Sequence, residues 1–251
     1  MASQFPLKWQ AFQTWKQGNA AADYEDASAG DVTNGRFAVA DGASEASFAG
    51  IWARLLVEDF TTGAGKPWRD LDWIAPLRKR WAAQVDTLPL PWYAEEKREM
   101  GAFATFLGMA VRPSAVGREG GFWRALAVGD CSLIQARAGR VVQSFPMTRS
   151  EDFSNRPCLL GSRSQGSMEA RNGRARAHGR WQPGDRFLLM TDALAQWFLL
   201  RREQGHDPLA SIRRLLAEKS PESAFADWVD KRRQQSVLRN DDVTLVVVDV
   251  E

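Results

Sequence analysis

Gly184-Asp185-Arg186-Phe187-Leu188-Leu189-Met190-Thr191-Asp192 reads as a turn, a buried strand and a carboxylate, in that order. Pro183, Gly184 and Asp185 supply the turn, and the short apolar run from Phe187 to Met190 has the length and flanking signals of a core strand. The same grammar recurs at Arg36-Phe37-Ala38-Val39-Ala40, which stops at Asp41-Gly42, and in reverse at Asp241-Asp242, which precede Val243 to Val250. That last strand is too apolar to be an edge facing water on both sides. A fourth acidic pair, Glu25-Asp26, follows a first strand region from Trp9 to Lys16, where apolar and polar residues roughly alternate.

Between these strands the period changes. Phe48, Ile51, Trp52, Leu55, Leu56 and Phe60 fall on one helical face. Trp73, Ile74, Leu77 and Trp81 suggest a second helix with Pro76 inside its pattern. Phe103 to Val111, Gly121 to Val128, Ser132 to Ala136 and Val141 to Phe145 read as an antiparallel meander. Thr148 to Arg180, with Arg156, Arg163, Arg171, Arg174, Arg176 and Arg180, reads as an exposed, partly irregular excursion. Helices are expected over about 193–202, 208–218 and 221–232. No repeat or low-complexity linker divides the chain, so one domain over 1–251 is expected.

Composition narrows the classes. With 251 residues, 44% hydrophobic and 25% charged, the chain can fill a core and is not a disordered one. A net charge of +2 gives no general attraction to nucleic acid or membrane, so neither is expected as a partner. Two cysteines, Cys131 and Cys158, form no Cys-x-x-Cys pair and no framework, although one disulfide between them stays open; a reducing cytoplasmic compartment is the simplest fit. Met1 to Gln10 lack a basic region followed by an apolar run, and no stretch reaches the ~18 apolar residues of a membrane span. The two histidines, His178 and His206, stand in polar neighbourhoods and read as surface residues, which weakens a His-based site.

The acids are then the remaining chemistry. Any single aspartate at a strand end is ordinarily a turn former or a helix cap; the recurrence of the pattern is what informs. Carboxylates brought together from Glu25, Asp26, Asp41, Asp192 and Asp241 raise one another's pKa unless a cation separates them. Oxygen ligands suit Mg²⁺ or Mn²⁺ rather than Zn²⁺, and Gly42 lets backbone approach an ion closely. Rival motifs fail in register: Ala43 stands where Asp-x-Ser-x-Ser needs Ser and where Asp-x-Asp needs Asp. A phosphate loop and a Gly-x-Ser-x-Gly elbow are both missing. Metal-assisted hydrolysis is what these exclusions leave.

The ordered set Tyr24-Glu25-Asp26-Ala27, Phe37 to Gly42, Gly101 to Thr105, Ala127-Val128-Gly129-Asp130-Cys131, Gly184 to Asp192 and Asn240 to Val248 resembles the metal-dependent protein phosphatase family, the PPM or type-2C serine/threonine phosphatases. The resemblance spans nearly the whole chain and implies an α+β fold, a four-layer α-β-β-α sandwich of two antiparallel sheets flanked by helices. It implies two Mg²⁺ or Mn²⁺ ions: Asp41 bridging them, the Gly42 carbonyl as a ligand, Asp192 and Asp241 completing one shell, and Glu25 and Asp26 holding the second ion directly or through water. Asp130 matches an acid linked to a third, weaker ion. Two cations ~3.5–4 Å apart lower the pKa of a shared water and screen phosphoryl oxygens during in-line attack. The implied function is hydrolysis of phosphoserine and phosphothreonine in protein substrates, in cytoplasmic signalling opposite a cognate serine/threonine kinase, by a monomer.

Three departures from the family pattern stand out. An arginine that holds phosphate four residues before the first Glu is replaced by Ala21. A histidine found after Asp-Gly in many eukaryotic members is replaced by Ala43. Thr-Asp-Gly becomes Thr191-Asp192-Ala193, which is tolerated if residue 193 has negative φ. These alanines keep open a second reading, a phosphatase-like binding module without turnover; a phosphodiesterase using the same ions is a third. The arginine-rich excursion is read first as a solvated loop and, as an alternative, as a docking flap for acidic or phosphorylated partners. Most of the 11 tryptophans fall on apolar faces and are expected in the core.

Overall fold

The computed structural model describes residues 7–43, 48–63, 67–68, 72–88, 95, 98–114, 119–154, 156–163 and 173–251. Its strands form two antiparallel sheets. One runs β1 (Leu7–Thr14), β11 (Val243–Val250), β10 (Arg186–Met190), β6 (Ser132–Arg137) and β7 (Arg140–Phe145), in that spatial order. The other runs β2 (Ala27–Asp31), β3 (Arg36–Gly42), β4 (Phe103–Pro113), β5 (Gly121–Val128) and β9 (Arg174–Trp181), with the two-residue β8 (Leu160–Gly161) beside β4. Helices α1 (Ala49–Thr62) and α2 (Ala75–Val85) belong to the second sheet, and α3 (Asp192–Glu203), α4 (Pro208–Leu216) and α5 (Pro221–Gln234) to the first.

Strand alternation builds three apolar layers from these four structural ones. Phe37 and Val39 of β3, with Leu107, Met109 and Trp123, meet Phe187, Leu189, Val246 and Val248 across the inter-sheet core. The alternate residues Ala38, Ala40, Ala104 and Phe106 face Trp52, Leu56 and Phe60 of α1 and Leu77 and Trp81 of α2. On the opposite outer face, Leu188, Met190, Leu245 and Val247 meet Leu194, Phe198, Ile212, Phe225 and Val229. Small residues on β3 and β4 let α1 approach closely: a Cβ at Gly108 would lie 2.6 Å from the Phe60 ring. The α-β-β-α sandwich expected from the sequence is the architecture observed.

Three local readings change. The meander is split: β4 and β5 pair with each other, β6 and β7 pair with each other, but β5 and β6 lie in different sheets. The chain crosses between sheets at Gly129-Asp130, where Gly129 has φ +90 and a Cβ would meet Thr105 Cγ2 at 2.6 Å. Hydrophobic alternation is identical for a strand that stays in its sheet and one that changes sheets, so the sequence pattern could not separate them. Pro76 lies in the first turn of α2, where its missing N–H costs nothing, and a short 3₁₀ turn over Asp72–Ile74 precedes it.

The arginine-rich excursion ends in a regular strand rather than in loop. Arg174, Arg176 and Arg180 lie on β9, which pairs with β5 along its full length. Arg163 is drawn onto α2, donating to Asp86 Oδ1 at 3.1 Å with its guanidinium 5.4 Å from the Trp81 ring centre. Arg156 is exposed and Arg171 lies outside the described residues. Both cysteines are free, and both histidines are exposed. Trp52, Trp81 and Trp123 are fully buried, as core packing requires. Among the described residues no helix is long and apolar enough to cross a membrane.

Asp185 closes the far end of the first sheet. Its buried carboxylate accepts from Arg137 Nε at 2.6 Å and Nη2 at 2.8 Å, from Gln135 Nε2 at 2.8 Å and from the Gln182 amide at 3.1 Å. These donors outweigh the burial that opposes its charge, so its pKa is lowered. Asp185→Ala leaves several donors without an acceptor and is expected to lower stability by about 2–3 kcal/mol. Urea unfolding measures this; a change below about 0.5 kcal/mol, the ordinary range for a surface substitution, contradicts it.

Candidate functional site

The acidic residues singled out in the sequence lie at one end of the sandwich. Asp41 and Gly42 are the last residues of β3, paired with Thr105 and Ala104 of β4. Glu25 and Asp26 directly precede β2, whose first residue pairs with Ala40. Asp192 opens α3 just beyond β10, and Asp241-Asp242 lead into β11, which is antiparallel to β10. Asp130 occupies the crossover between β5 and β6, whose Ser132 pairs with Met190. Antiparallel neighbours thus deliver the end of one strand and the start of the next to the same edge.

A hydrogen-bond scaffold orders the acids. Thr244 Oγ1 donates to Asp26 Oδ2 at 2.7 Å and is hydrogen-bonded to the Tyr24 hydroxyl, while the Thr244 amide donates to Thr191 Oγ1 at 2.9 Å. Asp242 accepts from the Glu25 amide at 2.7 Å and from the Lys16 amide at 2.8 Å, tying the start of β11 to both β1 and the first acidic pair. Arg233, buried under the loop, donates to the carbonyls of Asp241 at 2.5 Å and Trp15 at 3.0 Å. Asn240 exchanges hydrogen bonds with the Gln17 backbone at 2.8 and 3.1 Å. The loop 239–242 is therefore pinned on both sides.

Gly42 is required by close approach. A Cβ there would stand 2.7 Å from the Glu25 carbonyl oxygen and 3.0 Å from the Ala49 Cβ. Ala193 lies inside α3 and keeps φ out of the left-handed region, so the methyl that replaces the family glycine is accommodated.

The electrostatics show why the cluster is under tension. Burial raises Asp41 well above the ordinary carboxylate range, and Asp26, Asp192, Asp130 and Asp241 push it further. Burial likewise raises Asp26, against the Thr244 hydroxyl that favours its charge. Asp130 is pushed up to about 7 by burial and then by Asp192. Asp192 is raised by burial despite Arg239, whose Nη2 donates to Asp192 Oδ2 and lies 3.4 Å from Asp241 Oδ2. Several buried oxygens have no hydrogen-bond partner: Asp26 Oδ1, both oxygens of Asp130, and Asp192 Oδ1.

Buried carboxylate oxygens left unpaired are costly. An all-oxygen donor set with free lone pairs suits Mg²⁺ or Mn²⁺. Among the described residues no group of three or more His, Cys, Asp or Glu side chains is already closed around a point that could hold an ion. The donors fit divalent ions by chemistry and burial.

A cleft of about 550 Å³ borders Glu25, lined also by Asn19, Asp23, Tyr24, Phe48 and Arg54 among others. Arg54 projects from the exposed face of α1 into this lining. Sequence reasoning named Asp242 among the acids without giving it a role, and gave none to Thr191, Tyr24, Thr244, Arg233, Arg239 and Arg54. The first four sit inside the quoted motifs, so adjacency to an acid was their signal. The arginines gave none, because a basic residue on the polar face of a helix or in a polar loop reads as solvated surface.

With this geometry in view, the comparisons with known proteins are specific. The family model described as Protein phosphatase 2C matches residues 17–230, and the chain belongs to that family. The Mycobacterium tuberculosis serine/threonine phosphatase PstP/Ppp is similar in structure, with 18% identity, a TM-score of 0.58 and coverage of 98% of this chain and 99% of that one. PppA, a key regulatory component of T6SS in Pseudomonas aeruginosa, is similar at 20% identity and TM-score 0.56, covering 98% of each chain. The catalytic domain of the serine/threonine phosphatase PstP in complex with 2 manganese ions is similar at 19% identity and TM-score 0.55, covering 97% of each. At these identities the structural likeness establishes the fold. None of the curated proteins compared matches the chain.

The raised carboxylates make a signed prediction for the metal-free protein. A carboxylate with a folded pKa above its unfolded value of about 4 binds more protons when folded, so its contribution to stability falls as pH rises. For Asp130 that fall spans pH about 4 to about 7 and then levels off. The chelator-treated protein should show a higher thermal midpoint at pH 5.5 than at pH 7.5, and Asp130→Asn should flatten the difference. A midpoint that rises over this interval, unaffected by Asp130→Asn, contradicts the assignment.

Proposed function

We propose that the protein is a Mg²⁺/Mn²⁺-dependent serine/threonine phosphoprotein phosphatase, a phosphoric monoester hydrolase. The convergence of buried, unpartnered carboxylate oxygens on one end of the two sheets carries this reading. The manganese in the PstP catalytic domain belongs to that protein and supports the same choice of ion here. Two ions, when bound, supply a water of lowered pKa and positive charge for the phosphoryl oxygens.

The chain's own residues would divide the remaining work. Asp41, which feels the charges of Asp26, Asp192, Asp130 and Asp241, would hold metal at the centre of the set. Gly42 would offer its carbonyl, Asp192 and Asp241 would hold one ion, and Glu25 and Asp26 the other; Asp130 would hold a weaker third. Thr244 fixes one oxygen of Asp26 and leaves the second free. Asp242 holds the Glu25 backbone in place. Outer partners of this kind orient ligands and set their basicity.

A phosphoserine or phosphothreonine side chain brings a charge of roughly −1.5 to −2, so it favours the cation-loaded site. With Ala21 unable to bind phosphate, Arg54 is the basic side chain in the bordering cleft that would meet an anionic substrate. Arg54→Ala should raise KM for a phosphopeptide several-fold with a smaller change in kcat; an unchanged KM removes Arg54 from recognition. In this reading the protein works in the cytoplasm as a single domain and a monomer, on substrates of a cognate serine/threonine kinase.

One observation favours a second reading, a binding module without turnover: Arg239 already supplies positive charge to Asp192 and Asp241. Hydrolysis of p-nitrophenyl phosphate separates the two. The phosphatase reading expects Mn²⁺-dependent turnover, reduced by more than about 100-fold in Asp41→Asn and Asp192→Asn, since even outer partners of metal ligands cost 10–100-fold. Mn²⁺ binding without turnover establishes the module. Cleavage of diesters with monoesters untouched establishes a phosphodiesterase.

A further inference from the structure

Arg239 is the cation the described structure places against the acidic cluster. Its Nη2 donates to Asp192 Oδ2 and lies 3.4 Å from Asp241 Oδ2, and its side chain is 39% exposed, so it enters the cluster from the solvent side. Its charged state is favoured by Asp192, Asp241 and Asp41, against burial, which opposes it. The backbone that carries it is fixed: Arg233 holds the Asp241 carbonyl and Asn240 grips Gln17. The guanidinium is thus presented to the carboxylates from a pinned loop at high effective concentration.

We propose that Arg239 is a tethered counter-cation that competes with divalent ions for Asp192 and Asp241 and so sets the metal affinity of the site. This rests on the phosphatase reading above only in taking Asp192 and Asp241 as ligands. An ion and a guanidinium cannot both take the same carboxylate oxygens, and Asp192 Oδ1 has no partner of its own, so an incoming ion meets one free and one occupied oxygen on the same carboxylate. Such competition is reciprocal: whatever the pairing contributes to the ion-free state is subtracted from ion binding. Arg239 is a positioning residue in this account, acting through the ligands and not on the reacting atoms.

The experiment is a calorimetric titration of Mn²⁺ into the metal-stripped, full-length protein and its variants, with thermal unfolding recorded alongside. Arg239→Ala should bind Mn²⁺ about tenfold more tightly, within the usual range of coupling between competing ligands. Arg239→Lys, which keeps the charge, should remain close to the parent. Arg239→Ala should also lower the thermal midpoint of the ion-free protein and enlarge the increase produced by Mn²⁺. A purely structural arginine would lower both midpoints and weaken binding. Unchanged or weaker Mn²⁺ affinity in a folded Arg239→Ala, with Asp41→Asn abolishing binding as a control, overturns the proposal and leaves the metal reading intact. Absence of Mn²⁺ binding in the parent and in every variant overturns both.

Discussion

Repulsion among buried carboxylates is the constraint around which this molecule is arranged. Asp26, Asp41, Asp130 and Asp192 are all raised in pKa by burial, and each feels at least one of the others or Asp241. A protein does not gather such groups for stability, because each charge taken from water without a partner costs free energy. The surrounding structure must hold them there, and the two sheets do so. Strands β3, β10 and β11 are buried on both faces, so their ends cannot relax without dismantling three apolar layers.

The tension is moderated by a few polar devices. The Thr244 hydroxyl satisfies one oxygen of Asp26, the amides of Lys16 and Glu25 satisfy Asp242, and Arg239 compensates Asp192. What is left over, on Asp26, Asp130 and Asp192, is buried lone-pair capacity without a hydrogen-bond partner. Hard divalent cations match that remainder in charge and ligand type. At the opposite end of the first sheet the Asp185 carboxylate, by contrast, has donors on both oxygens.

Much of this was legible in the sequence because two periodicities dominate it. Alternation in Phe37 to Ala40 and the helical spacing from Phe48 to Phe60 are both enforced by burial, and burial is what sequence patterns record. The acids were legible because each ends or begins an apolar run, so rigid backbone fixes where it emerges. The change of sheet at Gly129-Asp130 was not legible, since a strand's own pattern does not say which neighbour it pairs with. β9 was hidden because an edge strand can be polar on its outer face, and its Arg176, His178 and Arg180 imitate loop composition. Arg239, Arg233 and Arg54 were hidden for a third reason: their roles depend on contacts from distant parts of the chain, such as the 218-residue separation between Arg233 and Trp15.

Anomalous diffraction from crystals soaked in Mn²⁺ tests the central claim most directly. The account predicts manganese peaks at the strand-end acids, with Asp41 contacting two ions and Asp192 and Asp241 sharing one. Peaks confined to other surface carboxylates, with Asp41, Asp192 and Asp241 left without metal at saturating Mn²⁺, would contradict it.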